Sequence, residues 1–167
     1  MEKEITEVYC GNGRGKTTLA IGQALRASSQ GKSVIINQFL KGNERRELDF
    51  LEELDQLDIK IFRFEKMETC YDQLNEEEQA EEERNILNGL NFARKVIATQ
   101  ECDFLVLDEI LGLLDKHIAT VDMVVGLLKQ KDESMHLILT GNRVDPGILD
   151  YVDSVTTITT LGREQNS

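Results

Sequence analysis

The run Cys10-Gly11-Asn12-Gly13-Arg14-Gly15-Lys16-Thr17-Thr18 limits what this chain can fold into more than any other stretch. Before it, Ile5-Thr6-Glu7-Val8-Tyr9 alternates apolar and polar residues over the length of a strand. After it, Leu19, Ile21, Ala24 and Leu25 recur at helical spacing, and Gly31 stands where a helix would stop. Strand, glycine-rich turn and helix form the setting of a phosphate-binding loop. The glycines let successive backbone N–H groups turn inward around an anion with no Cβ in the way. The helix start adds unpaired donors and the positive end of its dipole, and Lys16 adds a mobile charge for the outer phosphates. A hydroxyl directly after that lysine, Thr17, is the usual ligand for the magnesium that travels with a nucleotide. The pattern G-x-x-x-x-G-K-[ST] asks for glycine where this chain has Cys10, so the loop is a variant. Gly11, Gly13 and Gly15 still allow a tight wrap. The anion expected is a nucleoside triphosphate.

The remaining segments alternate. Ser33 to Phe39 reads as a buried strand, and Leu40 to Asn43 as a loop. A helix is predicted from Glu44 to Gln56, with Leu48, Leu51 and Leu54 on one side. Asp58 to Phe64 reads as a third strand, and Glu65 to Asn75 as a loop of active-site size. Asn75 to Thr99 is the longest helical stretch. Its acidic start, Glu76 to Arg84, reads as a solvated helix end, while Ile86, Leu90, Ala93 and Ile97 make its buried stripe. Phe104 to Glu109 is a hydrophobic strand ending in two acids. A helix over Val121 to Lys129, a strand over Met135 to Leu139, a short helix opened by Pro146 and a threonine-rich strand over Ser154 to Thr160 complete the pattern. Such alternation predicts a single α/β domain spanning residues 1–167: a P-loop NTPase-like three-layer sandwich. Its mostly parallel sheet would have about six strands and carry helices on both faces. Ligands of such sheets sit at the carboxyl ends of the strands. Gly11–Thr18, Gln38–Gly42, Asp108-Glu109 and Thr140–Arg143 all fall there.

Charge narrows the partners. With 31 acidic against 19 basic residues the net charge is −12, which argues against a general nucleic-acid or anionic-membrane surface. A nucleotide must be drawn in by a local positive site within a negative field. No apolar run approaches the ~20 residues of a membrane span, and the N-terminus lacks a signal-peptide pattern, so cytoplasm is the expected compartment. Cys10, Cys70 and Cys102 are odd in number and far apart, and read as free thiols.

Four groups of residues invite a chemical reading. Asp108-Glu109 is the acidic partner that a phosphate loop needs, holding magnesium directly or through water. Lys41 and Arg143 share the same sheet edge and either neutralise phosphate oxygens or stand as solvated surface charges. His117 and His136 have no Ser, Cys or Asp arrangement around them that would make either one catalytic. Phe62, Phe64 and Tyr71 flank the long loop and either face an apolar substrate or pack in the core.

Taken together, the chain resembles the P-loop ATP:corrinoid adenosyltransferases. The resemblance is carried by Gly11-Asn12-Gly13-Arg14-Gly15-Lys16-Thr17-Thr18, by Gln38-Phe39-Leu40-Lys41-Gly42 and by Val106-Leu107-Asp108-Glu109. Thr140-Gly141 followed by Ile148-Leu149-Asp150 extends it, and it covers most of residues 4–160 in order. It implies that reduced cobalt, Co(I), attacks the 5′ carbon of ATP and that the whole triphosphate departs. The nucleophile is already electron-rich, so no protein base is required, and catalysis comes from alignment and from stabilising the departing charge. The resemblance further implies that the Gly11–Thr18 loop with Lys16 holds the triphosphate, that Thr17 and Glu109 bind Mg2+, and that Asp108 supports the metal from behind. Gln38, Lys41 and Arg143 are placed beside the nucleotide. ATP and a corrinoid are the implied substrates, in a homodimer served by a reductase. Family members commonly carry an aromatic pair after the third strand, often with tryptophan, that holds the corrinoid. This chain has no tryptophan, so Phe64 or Tyr71 would serve. Arginine commonly follows Thr-Gly directly; here Asn142 intervenes before Arg143. The ends are short, implying a member without the family's N-terminal extension and C-terminal tail. The alternatives are a P-loop ATPase or kinase that breaks the γ-phosphate bond, and an ATP-binding regulator without catalysis.

Overall fold

The structure, a computed structural model, describes residues 3–40, 48, 50, 51 and 53–162. Six strands form one sheet: β1 (Thr6–Cys10), β2 (Val34–Gln38), β3 (Ile59–Arg63), β4 (Phe104–Asp108), β5 (His136–Thr140) and β6 (Ser154–Thr157). Their spatial order is β3-β2-β4-β5-β1-β6, and every adjacent pair is parallel. The all-parallel arrangement follows from the connections, since each strand returns through a helix or a long crossover. Its consequence is geometric: Cys10, Gln38, Arg63, Asp108 and Thr140 all end at one edge.

The strands alternate, but both faces are covered. Val8, Ile35, Leu105, Leu107, Leu137 and Leu139 face one side, under α2 (Glu76–Thr99) and α4 (Val121–Gln130), which supply Ile86, Leu90, Val124 and Leu127. Val34, Ile36, Ile59, Ile61, Val106 and Ile138 face the other side, under Ala20, Ile21 and Ala24 of α1 (Lys16–Ser29). The sheet is therefore the middle of three layers, as expected of a buried parallel sheet. Two short helices, α3 (Gly112–Asp115) and α5 (Pro146–Leu149), turn the chain at the functional edge. The first has no periodicity long enough to show in the sequence. Of the helix expected over 44–56, residues 44–47, 49 and 52 lie outside the described residues; Leu48, Phe50, Leu51 and Glu53 take 3-10 geometry, Leu51 is buried, and 54–56 are not helical. Among the described residues no helix is long and apolar enough to cross a membrane, and all three cysteines are free thiols.

The acidic start of α2 differs from its expected role as a solvated end. Asn75 and Glu78 cap the helix reciprocally, as an N-terminal signature should. Glu82, however, is buried, and its carboxylate accepts the backbone N–H groups of Lys66 and Met67 at 3.0 and 3.2 Å. Glu83 accepts the Tyr71 hydroxyl. The loop after β3 is thus fastened to α2 by carboxylates that look, in one dimension, like a solubilising run.

Candidate active site at the carboxyl edge of the sheet

Helix α1 begins directly after Gly15, whose φ of 99° suits glycine, and no side chain caps it. Helices α2 and α4 are both closed by side-chain caps, from Asn75 and Thr120. The first-turn donors of α1 therefore face whatever occupies the loop in front of them. The loop is braced from behind by the segment that follows β6. Gly13 N donates to Ile158 O at 2.8 Å, Ile158 N to Cys10 O at 2.8 Å, and Arg14 N to the Thr160 hydroxyl at 3.0 Å. A Cβ on Gly11 or Gly13 would stand 2.3 or 2.6 Å from the Ile158 carbonyl oxygen. Glycine is needed here for close approach to protein backbone. Cys10, at the position of the missing pattern glycine, is the buried end of β1, with Sγ 3.7 Å from the Thr157 hydroxyl. The tight turn falls instead to Gly11, at φ 112°.

A cavity of about 370 Å³ is lined by Gly13, Arg14, Gly15, Lys16, Thr17, Thr18 and Glu109. The Lys16 ammonium donates to the carbonyls of Gly11 and Gly13 at 2.8 and 3.0 Å, so the charge is held at the loop. Beside it lies a second cavity of about 270 Å³, lined by Leu40, Glu109, Gly112, Asp115, Lys116 and Asn142. Glu109 belongs to both and adopts φ 65°, a left-handed conformation that costs a non-glycine residue about 1–3 kcal/mol. Gly112 leaves room beside it: a Cβ there would meet Leu40 Cδ1 at 3.0 Å and Glu109 Oε1 at 3.4 Å.

Asp108 is fully buried and organises the floor. Its Oδ1 accepts the hydroxyls of Thr17 at 2.9 Å and Thr140 at 2.8 Å, and its Oδ2 accepts Gln38 Nε2 at 3.1 Å. Thr140 in turn accepts Glu109 N at 2.8 Å, and Arg63 Nε donates to Gln38 Oε1 at 2.8 Å. Sheet register explains the convergence. Gln38 lies opposite both Arg63 of β3 and Asp108 of β4, and Leu107 opposite Leu139 brings Asp108 and Thr140 side by side.

The structure thus brings together Gly13–Thr18, Gln38, Asp108 and Glu109. Gly11 packs on Ile158 behind the loop, and Asn12 does not line the cavity. Lys41 lies outside the described residues. Arg143 is not at the loop: its Nε donates to Asp115 at 2.9 Å, on the rim of a separate cavity of about 300 Å³ that also borders His117 and Val121. Asp115, by hydrogen bond and charge, holds that guanidinium above its ordinary pKa. Arg143, expected on phosphate oxygens or as a solvated surface charge, is instead paired with Asp115 and exposed.

Arg63 gave no signal in the sequence, because its partner Gln38 lies 25 residues away; Thr140 was expected at the ligand edge, but not its bond to Asp108, 32 residues away. Glu82 was masked by its acidic neighbours. Of the aromatic candidates, Phe62 and Phe64 pack on Phe92 with ring centroids 4.4 and 5.3 Å away. The Tyr71 phenol is pushed up to about 12, first by burial and then by the Glu83 carboxylate, so it stays a neutral donor. His136 lies at the opposite edge of the sheet, away from all of this.

The donors near the loop are hydroxyl and carboxylate oxygens, which suit a hard cation such as Mg2+. Among the described residues no group of three or more His, Cys, Asp or Glu side chains could hold a metal by itself. The phosphates of a nucleotide would have to supply the remaining ligands, as is usual for Mg2+.

Comparison with known proteins covers nearly the whole chain. Residues 2–165 match the family model described as ATP:corrinoid adenosyltransferase BtuR/CobO/CobP. The corrinoid adenosyltransferase of Escherichia coli (strain K12) is 31% identical over 160 residues, covering 93% of this chain and 76% of that protein. Corrinoid adenosyltransferase CobA of Salmonella typhimurium is 29% identical over 158 residues, with the same coverage. Among solved structures, the KaiC-like protein PH0186 of Pyrococcus horikoshii OT3 superposes with a TM-score of 0.59 at 19% identity. That likeness covers 96% of this chain and 75% of the other, and concerns the fold.

Proposed function

The chain belongs to the ATP:corrinoid adenosyltransferase family, and on that premise we propose that the loop and floor just described carry out the protein's share of adenosyl transfer from ATP to a corrinoid. The enzyme is a transferase: cobalt in the Co(I) state forms a bond to the 5′ carbon of ATP, the C5′–O bond breaks, and triphosphate departs with the electron pair. The supporting observation is the juxtaposition, in one cavity, of an uncapped helix start, Lys16, Thr17 and Glu109, with Asp108 buried behind them.

The roles follow from donor chemistry. Backbone N–H groups of residues 13–18 and the Lys16 ammonium stabilise charge that grows on the triphosphate as the bond breaks, which is where catalysis is gained. Lys16 moves from the carbonyls of Gly11 and Gly13 onto phosphate oxygens, a short swing for a flexible side chain. Thr17 and Glu109 would hold Mg2+, with Asp108 fixing Thr17; the ion, when bound, shares the negative charge of the triphosphate. Gln38 aligns Asp108 and contributes from outside the cavity. Because the nucleophile is a metal already rich in electrons, Glu109 is assigned no proton transfer. The cavity bordered by Leu40, Gly112 and Asn142 continues from Glu109 and offers the space for the second substrate. The same reading includes a cytoplasmic homodimer and a separate reductase for the cobalt, supported by the resemblance alone.

The test is product analysis. With Mg-ATP, a corrinoid and a strong reductant, the expected products are adenosylcorrinoid and tripolyphosphate. Orthophosphate released without a corrinoid would instead identify an ATPase, and ATP binding with no product would identify a regulator.

A further inference from the structure

We infer that Arg63 is a positioning residue for the magnesium end of this site, acting through Gln38 and Asp108; the inference rests on the nucleotide-site reading above. Arg63 Nε donates to Gln38 Oε1 at 2.8 Å, and a guanidinium has no acceptor to offer. The amide oxygen of Gln38 must therefore face β3 and its NH2 group must face β4. There Nε2 donates to Asp108 Oδ2 at 3.1 Å. A flipped amide would set donor against donor at Arg63 and oxygen against carboxylate at Asp108. With Oδ2 oriented in this way, Oδ1 receives the hydroxyls of Thr17 and Thr140 at 2.9 and 2.8 Å. Thr17 gives its only hydroxyl hydrogen to Asp108, so the orientation of that hydroxyl follows the carboxylate.

The orientation of the Thr17 hydroxyl is thus set across three strands. Arg63, Gln38 and Asp108 stand abreast on β3, β2 and β4. Asp108 is 0% exposed, so water does not readily replace a lost donor. Arg63 also ends the strand that leads into the loop fastened to α2. Two residues on, Glu65 accepts the N–H of Leu40 at 2.6 Å, where the chain turns at φ 57° beside the second cavity. The strand that carries Arg63 thus runs on directly into the segment that borders the second cavity.

Calorimetric titration of ATP into the whole chain, with and without Mg2+ and with no corrinoid present, tests this directly. Arg63→Met is expected to raise the Mg2+ concentration at half-saturation about tenfold, the size of a lost hydrogen bond to a charged network. Binding of ATP without Mg2+ should stay within about twofold, and Arg63→Lys, still a pure donor, should recover most of the loss. Gln38→Met should reproduce the defect, and combining it with Arg63→Met should add nothing further. Should Arg63→Met fail to fold, Arg63→Gln takes its place. Its amide can present either end, so the orientation of Gln38 is lost and the same Mg2+-specific weakening is expected. An unchanged Mg2+ dependence in whichever variant folds overturns the relay, as does equal weakening with and without Mg2+. A wild-type chain that binds Mg-ATP but forms no adenosylcorrinoid would sink the reaction and leave the relay standing. If wild-type binding ignored Mg2+ altogether, the relay would fall as well.

Discussion

The amino edge of the sheet and the phosphate loop at its carboxyl edge handle charge in opposite ways. At the amino edge, opposite charges meet and cancel in place. Lys32 reaches Glu4 at 2.6 Å, and His136 lies between Glu4 at 3.2 Å and Glu7 at 2.6 Å, stacked on Phe104 with centroids 4.6 Å apart. At the carboxyl edge Asp108 accepts from the hydroxyls of Thr17 and Thr140 and the amide of Gln38, and the Lys16 cation rests on the carbonyls of Gly11 and Gly13. Positive φ angles occur in the turns leaving strands at the carboxyl edge, at Gly11, Leu40 and Glu109, and next to helix ends, at Gly15, Gly31, Gln100 and His117. Charges that neutralise each other at contact serve the fold. Charges held close by neutral groups and strained turns remain available to a ligand.

If that division holds, the largest effect on function comes from Lys16. Lys16→Ala is expected to lower kcat/KM for ATP about 10²–10³-fold, the range for losing one donor to developing negative charge, with little change in melting temperature. Its counterpart at the other edge, His136→Phe, should do the reverse: stability falls while turnover stays within about twofold. Unfolding of the first variant, or inactivity of a folded second one, would break the contrast. The glycines of the loop sharpen it further. Gly13→Ala places a Cβ 2.6 Å from the Ile158 carbonyl and should cost about 1–3 kcal/mol by urea denaturation, as overpacking does. Gly15→Ala meets nothing within 4 Å, so its cost comes from the φ of 99° alone.

How much of this could be read in one dimension depended on the range of the interaction. The strand–loop–helix unit around Lys16, the four-apolar-plus-acid run ending in Asp108-Glu109, and the capped start of α2 are local, and each was placed within a residue or two. Parallel pairing followed from alternation. What escaped detection is set by register: Arg63 beside Gln38 and Asp108 beside Thr140 are neighbours only because four strands align. Glu82 escaped for a different reason. One buried carboxylate among solvated ones of the same type carries no distinguishing pattern, and its role is visible only once the loop amides fold onto it. Arg143 went the other way, since position at the correct edge did not reveal that Asp115 lay closer than the loop.

Glu82 tests whether fastening at the carboxyl edge serves ligand binding. Glu82→Ala leaves the Lys66 and Met67 amides without acceptors and should cost about 1–3 kcal/mol. With the loop loosened beside the second cavity, the KM for corrinoid should rise several-fold. Affinity for Mg-ATP should be kept, because β3 still holds Arg63 against Gln38. Parallel saturation curves for the two substrates separate these outcomes. An equal rise in both would show that the loop and the phosphate site are one unit.

The smallest effect belongs to the amino edge and is a dependence on pH. Lys32, by its hydrogen bond to Glu4, is the largest cause lowering that carboxyl below its ordinary 4.5; burial opposes it, and His136 assists. Because the folded value lies below the unfolded one, the unfolded chain binds more protons between the two. Stability from this group is therefore fully present above about pH 4.5 and is lost as pH falls through the folded value. The side chains of Lys32 and Glu4 are 35% and 28% exposed, so solvent screens the pair and the contribution should be under about 1 kcal/mol. Lys32→Met removes the main cause of the shift. Its urea midpoint should lie below that of the wild type at pH 7 and converge with it once pH has fallen below the folded value, where Glu4 takes up its proton in either chain. Transfer activity at pH 7 should be unaffected, because nothing at this edge touches the loop. A midpoint gap that persists unchanged at the acid end would mean that Lys32 acts through packing of its stem, and the charge-cancelling account of the amino edge would have to be abandoned.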